Sequence, residues 1–263
     1  MMLVTGASGF VGGKIMELCR DAIACPSLRG ATEETVRRMV EESGADVIVH
    51  TAAIADIGTC QADPDSSYFA NVQIPVYLAR AAKGRKLVCF SSDQVYSGTD
   101  AEGPYTEDMV HPTNVYAVHK LEMEERVLAI DPDAVMLRAE WMYGYYLKKP
   151  NYFMNILNAR ESIAFSSSQY RGITYVKEVA ENMEQVIRLP GGAYNFGSET
   201  DKSMYEITKA FLAYIGKNIR VDDAPPRHNL WMNCEKARRH GVIFSDVGEG
   251  LKRCAEDYRD RIG

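Results

Sequence analysis

A tyrosine and a lysine four residues apart, Tyr116 and Lys120, are the side chains of this sequence best suited to proton transfer. Residues at this spacing share one face of a helix, which brings the ammonium near the phenol. A phenol has an ordinary pKa near ~10, and a nearby cation lowers that pKa by favouring the phenolate. The pair therefore predicts a general acid and base, although the same spacing also occurs in surface helices where the lysine is merely solvated.

A glycine-rich turn near the N-terminus predicts a dinucleotide site. A short apolar strand over residues 2–4 runs into Thr5-Gly-Ala-Ser-Gly-Phe-Val-Gly12, and helical spacing continues to residue 18. Such a turn lets the backbone approach a pyrophosphate, while the helix N-terminus offers free N–H groups and a positive dipole end. We expect Gly6 to make the turn, Gly9 to permit the approach and Gly12 to let helix and strand pack closely. An ordinary tight turn is the alternative.

Apolar runs alternate with helical patterns through the first half of the chain. The apolar runs cover residues 47–50, 86–90 and 134–137, and helical patterns cover residues 66–83 and the Tyr116 segment. This alternation predicts a parallel sheet with crossover helices, whose carboxyl edge binds ligands. Ser92 follows the run at 86–90 and is expected at that edge. The region after the short second strand, residues 22–25, is abbreviated, which suggests a sheet trimmed between its second and third strands.

Beyond Gly144 the alternation gives way to shorter elements, separated by Pro150, Pro190-Gly-Gly192 and Pro225-Pro226. We therefore predict an α/β fold with a Rossmann-type doubly wound parallel sheet over residues 1–144. A small C-terminal substrate-binding lobe is predicted over residues 145–263. Later segments are expected to return to the first part, so that the two form a single compact unit.

Composition argues against several classes of protein. The net charge of -6 disfavours a nucleic-acid surface, because phosphate binding needs a basic patch. No apolar stretch approaches the ~20 residues of a membrane span, and a strand that begins at residue 2 leaves no room for a signal peptide. We expect a soluble, cytoplasmic protein. The six cysteines and five histidines show no disulfide or metal-ligand spacing, so we expect neither disulfides nor a metal site.

These motifs resemble those of the short-chain dehydrogenase/reductase superfamily, in the extended branch that acts on nucleotide sugars. Within that branch the sequence is most similar to the dTDP-4-dehydrorhamnose reductase family of RmlD-like sugar-nucleotide-binding proteins. Nearly the whole chain takes part in the resemblance. It is carried by the glycine turn and by Ala45-Asp-Val-Ile-Val-His-Thr-Ala-Ala53, Ser91-Ser-Asp-Gln-Val-Tyr96, Asn114-Val-Tyr-Ala-Val-His-Lys-Leu-Glu122, Leu137-Arg-Ala-Glu-Trp-Met-Tyr-Gly144 and Tyr194-Asn-Phe-Gly-Ser198.

The resemblance implies a catalytic triad of Ser92, Tyr116 and Lys120. In such enzymes hydride passes from a reduced nicotinamide to a carbonyl carbon, while the tyrosine donates a proton to the developing alkoxide. The serine orients the carbonyl oxygen, and the lysine tunes the tyrosine and holds the nicotinamide ribose. Strand-end capping is the alternative role for Ser92. The predicted cofactor contacts are Gly6, Ser8, Gly9, Phe10, Val11, Gly12, Arg29, Thr51, Ala52, Ala53, Asn71, Ser91, Tyr116 and Lys120.

The segment after the second strand favours NADP over NAD as the cofactor. Enzymes that bind NAD carry an acidic residue about 20 positions beyond the glycine turn, where it binds the ribose 2′-hydroxyl. This chain instead has Pro26-Ser-Leu-Arg29, whose arginine can pair with a 2′-phosphate or simply be exposed. Asn71 resembles a family asparagine near the cofactor, and a structural contact from its helix to backbone is an equal alternative.

Substrate-binding residues are predicted at Asp93, Gln94, Trp141, Arg171 and Arg227. Nucleotide-sugar dehydratases carry a second acid where this chain has Gln94, which cannot titrate, so reduction or epimerisation is favoured over dehydration. The reductase family places a tryptophan against the sugar at the position of Trp141, with lobe packing as the alternative. Arg171 and Arg227 can clamp a diphosphate or be solvated surface residues.

The leading hypothesis is an NADPH-dependent reductase of a nucleotide-linked 4-keto sugar. Reductases of the family carry an Asp-Lys pair where this chain has Gly58-Thr59, which leaves the sugar open. One alternative is a non-catalytic NADP-binding subunit similar to the regulatory β subunit of methionine adenosyltransferase. The other is an NAD-dependent nucleotide-sugar epimerase. The resemblance also allows a homodimer, paired through outer helices that include the one with Tyr116.

Overall fold

A computed structural model of the chain describes residues 1–262. The strands are β1 (Met2–Thr5), β2 (Ala22–Ala24), β3 (Val47–His50), β4 (Lys86–Ser92), β5 (Val135–Ala139), β6 (Trp141–Tyr143), β7 (Ser162–Phe165), β8 (Ile173–Tyr175), β9 (Gly192–Phe196) and β10 (Arg220–Asp223). The helices are α1 (Phe10–Leu18), α2 (Glu33–Ser43), α3 (Ile57–Ala62), α4 (Pro64–Tyr68), α5 (Ile74–Ala81), α6 (Val115–Ile130), α7 (Tyr152–Asn158), α8 (Val176–Glu181), α9 (Met183–Val186), α10 (Met204–Tyr214), α11 (Glu235–Arg239), α12 (Val247–Asp257) and α13 (Arg259–Ile262).

The central sheet confirms the predicted doubly wound α/β fold. Its six strands are parallel and run in the order β2-β1-β3-β4-β5-β9. The chain moves outward from β1 to β2 and then crosses back to β3, so the direction of winding reverses between β1 and β3. Ligands bind at such a switch point, outside the carboxyl ends of the strands. The glycine turn follows β1 directly and lies at this point.

The edge of the sheet beside β2 is shortened, as the sequence suggested. Within residues 1–262 no strand lies between β2 and β3, and the chain passes from β2 through an irregular segment into α2. At the other edge β9 pairs with β5, so a segment beyond Gly144 returns to the sheet. The pairs β6–β8 and β7–β10 form two small sheets outside it. The boundary between a cofactor domain and a substrate lobe at residue 144 stays a prediction.

Both faces of the sheet are buried, which explains the continuous apolar runs of its strands. Alternate strand residues enter different cores: Val4 and Val49 pack in one cluster, whereas Leu3 and Ile48 pack in the other. Helices α1 and α8 pack together, and α5 lies between α2 and α6. Among the helices of residues 1–262, none is long and apolar enough to cross a membrane.

The helical region predicted at residues 66–83 is interrupted by a wide turn. Helix α4 continues into a π-helical turn, Phe69–Gln73, and only then into α5. Pro75 lies in the first turn of α5 and has no N–H to donate to the preceding turn, which favours a local change of hydrogen bonding at that point. The wide turn carries Asn71 and directs it toward the loop that follows β3.

A buried ion pair joins α6 to the sheet. Arg138 of β5 donates to Glu124 of α6, with Nη2 2.7 Å from Oε2, and both side chains are no more than 5% exposed. The Ser91 hydroxyl of β4 donates to the other carboxylate oxygen of Glu124. Arg138 Nη1 also donates to the Tyr96 hydroxyl at 2.9 Å. Since α6 carries Tyr116 and Lys120, this network fixes their helix against the strand that ends at Ser92.

Candidate active site

The structure brings Ser92, Tyr116 and Lys120 together at the carboxyl edge of the sheet. Ser92 ends β4, while Tyr116 and Lys120 lie in the first turns of α6, which begins after the N-cap Asn114. All three residues are buried. The Lys120 ammonium donates to the Phe90 carbonyl at 2.8 Å and lies 5.8 Å from the centre of the Tyr116 ring. The predicted helix-face arrangement of phenol and ammonium is therefore present.

Burial dominates the electrostatics of these groups. It raises the pKa of the Tyr116 phenol above its ordinary value, and the Ser92 hydroxyl lowers that pKa only in part. Burial also lowers the pKa of Lys120 to about 8. The sequence predicted a lowered phenol pKa, but the energy of desolvating a phenolate raises that pKa instead. Tyr116 is consequently protonated at neutral pH and can donate its proton.

The glycine turn has the shape that a pyrophosphate requires. Gly6 has a φ of +66°, and Gly9 N–H donates to Gly6 O at 2.8 Å, which closes the turn. Helix α1 follows with Gly9 as its N-cap and no side-chain cap, so its first N–H groups remain available to a phosphate. A Cβ on Gly12 would overlap the Gly6 carbonyl and the Thr51 side chain. The turn thus fits a dinucleotide phosphate.

We expect Gly12→Ala to weaken dinucleotide binding and to destabilise the fold by about 1–3 kcal/mol, because the added methyl overpacks the turn. The neighbouring Gly13 provides a matched control, since a Cβ there would meet only Ala7 O at an ordinary 3.5 Å. Gly13→Ala should stabilise the helix by about 0.5–1 kcal/mol. Denaturant unfolding and NADPH titration of both variants measure the difference, and equal behaviour of the two would contradict the assigned role of Gly12.

Other predicted cofactor residues surround the turn. Thr51 Oγ1 donates to Thr5 O at 2.7 Å, and Ala52 N–H donates to Thr5 Oγ1 at 3.3 Å, so the end of β3 is tied to the end of β1. Ser8 and Ala53 are exposed, and Phe10 and Val11 are half-buried at the start of α1. Arg29 is exposed in the segment after the edge strand β2. Their contacts to a cofactor stay predictions.

Two predicted cofactor residues have side chains that already bind protein groups. Asn71 is buried, with Oδ1 accepting from Ile54 N–H at 3.1 Å and Nδ2 donating to Ile54 O at 2.9 Å. This is the structural helix-to-backbone contact that the sequence left as an alternative. The Ser91 hydroxyl is similarly engaged by Glu124. A contact from Ser91 to the dinucleotide would therefore use its backbone.

Three of the predicted substrate residues form one wall beside Ser92. Arg171 Nη2 donates to Asp93 Oδ2 at 2.7 Å, and Ser92 Oγ donates to Asp93 Oδ1 at 3.1 Å. The Arg171 guanidinium lies over the Trp141 ring, 5.6 Å from its centre. Burial raises the pKa of Asp93, while Arg171 and Ser92 lower it. A charged, hydrogen-bonding group and an aromatic face are thus placed next to the triad.

The other two predicted substrate residues, Gln94 and Arg227, are not part of this wall. Gln94 follows Asp93 and accepts a long hydrogen bond, 3.5 Å, from Asn114 Nδ2 at the start of α6. Arg227 is exposed in the segment between β10 and α11. Within residues 1–262, no hydrogen bond or ion pair joins Arg227 to the wall formed by Asp93, Trp141 and Arg171.

Sequence reasoning missed Glu140, which follows β5 directly and lies against this wall. The side chain is buried, and Oε2 accepts from Thr174 Oγ1 at 2.8 Å. Burial raises the pKa of Glu140 to about 8. An acidic residue at the carboxyl end of a buried strand was the available signal, because that is where the ligand edge of the sheet lies.

Within residues 1–262, the cysteines and acidic side chains form no disulfide and no metal-binding cluster. All six cysteines are free thiols. Within the described part of the chain, residues 1–262, no group of three His, Cys, Asp or Glu side chains is arranged to hold a metal ion.

Comparison with known proteins relates this architecture to one family. Residues 1–238 match the family described as the RmlD substrate binding domain. The chain is 26% identical to the spore coat polysaccharide biosynthesis protein SpsK of Bacillus subtilis, with 84% of this chain and 81% of that protein covered. It is 30% identical to methionine adenosyltransferase 2 subunit beta of Rattus norvegicus, with 92% and 82% covered.

Similarity to a named reductase is also present. The chain is 30% identical to dTDP-4-dehydrorhamnose reductase of Mycolicibacterium smegmatis over a shorter stretch, 54% of this chain and 46% of that protein. The crystal structure of dTDP-4-dehydrorhamnose reductase from Bacillus anthracis in complex with NADP superposes with a TM-score of 0.86 at 22% identity, covering 97% of this chain and 98% of that one. At this level of identity the superposition establishes the shared fold.

Proposed function

The chain belongs to the RmlD substrate binding domain family, and from that premise we propose that it is an NADPH-dependent reductase of a nucleotide-linked 4-keto sugar. The observation that carries the proposal is the burial of Ser92, Tyr116 and Lys120 at one edge of the sheet, beside the Asp93–Arg171 pair. Burying a phenol, an ammonium and a hydroxyl together costs desolvation energy, which a catalytic role for the three side chains explains.

The residues of this site divide the work of carbonyl reduction. A bound NADPH, held by the glycine turn and the end of β3, supplies the hydride. Tyr116, protonated at neutral pH, donates its proton to the oxygen of the substrate carbonyl. The Ser92 hydroxyl can hydrogen-bond the same oxygen as negative charge develops there. Gln94 has no acidic proton, so the residue directly after Asp93 is not the second acid that dehydration uses.

The wall beside Ser92 suits a nucleotide sugar. Trp141 is half-buried, with the Arg171 guanidinium over its ring, and we assign the exposed part of the ring to contact with the apolar face of a pyranose. Arg171 carries a planar guanidinium that matches phosphate or hydroxyl oxygens, and Asp93 holds it in place. We assign Asp93, Gln94, Trp141 and Arg171 to the substrate, and Arg227 to an outer position where a diphosphate can reach an exposed cation.

The direct test is turnover by the purified protein. With NADPH and a dTDP-linked 4-keto-6-deoxy sugar, the absorbance of NADPH should fall in proportion to the reduced sugar formed. If NADPH binds but no dTDP-linked keto sugar causes its consumption, the reductase proposal is wrong. Binding is measured separately by fluorescence of the nicotinamide, so a failure of catalysis is distinguished from a failure of cofactor binding.

The cofactor preference has its own test at Arg29. Arg29→Ala should weaken NADPH binding by about tenfold, which corresponds to the loss of one hydrogen bond to a charged group. The affinity for NADH should stay unchanged, because NADH has no 2′-phosphate. Titration of both cofactors against the wild type and the variant gives the two ratios. A parallel loss for both cofactors would mean that Arg29 does not read the 2′-phosphate.

A second candidate function is that of a subunit without turnover. The 30% identity to methionine adenosyltransferase 2 subunit beta over 92% of this chain favours it. The test is co-purification with a methionine adenosyltransferase catalytic chain. A stable complex without NADPH consumption would favour the subunit, whereas turnover without a complex would favour the reductase.

A further inference from the structure

A short segment between β10 and α11, residues 227–230, joins two loops that border the candidate active site. One loop follows the 3₁₀ turn that begins after Ser92, and the other precedes β8 and carries Arg171. Hydrogen bonds connect the segment to both loops. We name residues 227–230 the bridging segment. The proposed reduction uses only its first residue, Arg227, and leaves the other three without a role.

His228 ties the bridging segment to the turn that follows Ser92. Its Nε2 lies 2.7 Å from the backbone carbonyl oxygen of Tyr96, the last residue of the 3₁₀ turn Asp93–Tyr96. A carbonyl oxygen only accepts, so Nε2 carries the proton of this hydrogen bond and donates it. The imidazole is stacked on the Tyr105 ring, with 6.3 Å between the ring centres and 15° between the planes. This stacking orients the ring toward the carbonyl.

Tyr96 is a rigid anchor for that hydrogen bond. The residue is fully buried, and its hydroxyl donates to Asn195 Oδ1 at 2.6 Å while it accepts from Arg138 Nη1 at 2.9 Å. Arg138 also forms the buried ion pair that holds α6 to the sheet. The bridging segment is therefore attached to the same network that positions the helix of Tyr116.

Asn229 ties the bridging segment to both loops at once. Its Oδ1 accepts from the Tyr170 N–H at 2.8 Å, and its Nδ2 donates to the Glu102 carbonyl at 3.1 Å. The reversed amide would place oxygen against oxygen and N–H against N–H, so this orientation is the one that satisfies both loops. The Leu230 N–H then donates to the Tyr170 carbonyl at 3.1 Å. Both backbone polar groups of Tyr170, the residue before Arg171, are thus bound to the bridging segment.

These hydrogen bonds limit where Arg227 can lie. Its Cα is at most about 7 Å from that of Asn229, because two residues of extended chain span no more than this. The Arg227 side chain is exposed, and within residues 1–262 it takes part in no hydrogen bond or ion pair. Its guanidinium is therefore available to an anion close to the loop that carries Arg171.

We propose that His228 and Asn229 are positioning residues for Arg227. They fix the backbone around Arg227 to the turn after Ser92 and to the loop of Arg171, so the guanidinium is kept within reach of a diphosphate. Without these anchors the exposed segment would have to be ordered when the ligand binds, which costs binding free energy. The inference rests on the proposed function, because that function places a nucleotide sugar in the site.

Two substitutions of His228 separate its N–H group from its ring. His228→Phe keeps a ring against Tyr105 but cannot donate to Tyr96, whereas His228→Gln loses the ring and keeps an N–H donor. Binding of dTDP and of UDP is measured by calorimetry in excess NADP, and the tighter of the two is the probe. His228→Phe should raise the Kd of the probe about two- to tenfold, the range for one lost hydrogen bond. His228→Gln should stay close to the wild type.

The effect of His228 should depend on Arg227. Arg227→Gln should itself weaken binding of the probe, and His228→Phe added to it should bring no further loss, because no guanidinium remains to be positioned. With a dTDP-linked keto sugar, His228→Phe should raise KM and leave kcat unchanged, since it removes binding and touches no reacting group. His240→Phe is the control and should keep the wild-type Kd. His240 is also exposed against a tyrosine ring, 6.1 Å from Tyr194, but lies outside the bridging segment.

The positioning role is overturned if His228→Phe binds the probe like the wild type, if both His228 variants lose affinity equally, or if the losses at His228 and Arg227 add. A wild type that binds neither dTDP nor UDP overturns it as well. If the probe binds in the expected pattern but no keto sugar is turned over, the reductase proposal fails and the positioning role stands.

A second variant replaces His228→Phe if that protein does not fold. In Asn229→Asp the carboxylate still accepts from the Tyr170 N–H but cannot donate to the Glu102 carbonyl. The same rise in Kd and the same dependence on Arg227 are expected. An unchanged Kd in Asn229→Asp would overturn the proposal in turn.

Discussion

Tyr116→Phe is expected to lower kcat for the keto sugar by about a hundredfold to ten-thousandfold, the range that loss of a general acid produces. The substitution removes only the phenol oxygen, so the ring keeps its packing in the first turn of α6. NADPH binding and the free energy of unfolding should stay close to those of the wild type. Stopped-flow measurement of NADPH oxidation, together with a separate cofactor titration, gives both quantities.

The size of this effect follows from the position of the phenol. Tyr116 is buried beside Ser92 and Lys120, and burial raises its pKa, so its neutral form can donate throughout the physiological pH range. Without it, the proposed mechanism leaves the Ser92 hydroxyl to hydrogen-bond the developing alkoxide but no phenol to protonate it. Tyr214→Phe is a suitable control, because Tyr214 is exposed on α10 and its hydroxyl donates to Glu256. Full turnover in Tyr116→Phe would remove the phenol from the proposed mechanism.

Arg138→Met should lower the free energy of unfolding by about 3–5 kcal/mol, because it leaves the Glu124 carboxylate buried without its cation. Arg138 and Glu124 are both almost fully buried, and three guanidinium contacts to Glu124 are lost together with the contact to Tyr96. Denaturant unfolding measures the change. A loss below 1 kcal/mol would show that the buried pair does not hold α6 to the sheet.

An exposed arginine provides the comparison. Arg37 pairs with Glu34 and Glu41 on the surface of α2, where its side chain is 49% exposed. Arg37→Met should cost only about 0.2–1 kcal/mol, since water screens such pairs. The double substitution Arg138→Met with Glu124→Leu should recover part of the loss, because it removes the unpaired buried charge as well. This pattern would separate the cost of an orphaned charge from the value of the ion pair.

Local patterns along the sequence predicted the frame of the site. The spacing of Tyr116 and Lys120, the three glycines after β1 and the alternation of apolar runs with helices all depend on neighbours within a few residues. Helix periodicity and strand alternation are properties of such short segments, so they can be predicted without knowledge of the fold. The trimmed edge of the sheet followed in the same way from the short segment between the second strand and the next helix.

Contacts between distant segments were decided only by the tertiary structure. Arg171 meets Asp93 across 78 positions, and Glu140 meets Thr174 across 34. No local pattern specifies such pairs, because they depend on which strand ends the sheet brings to one edge. The protonation of Tyr116 belongs to the same class: the sequence indicated a neighbouring cation, but the degree of burial that raises the pKa of the phenol exists only once the chain has folded.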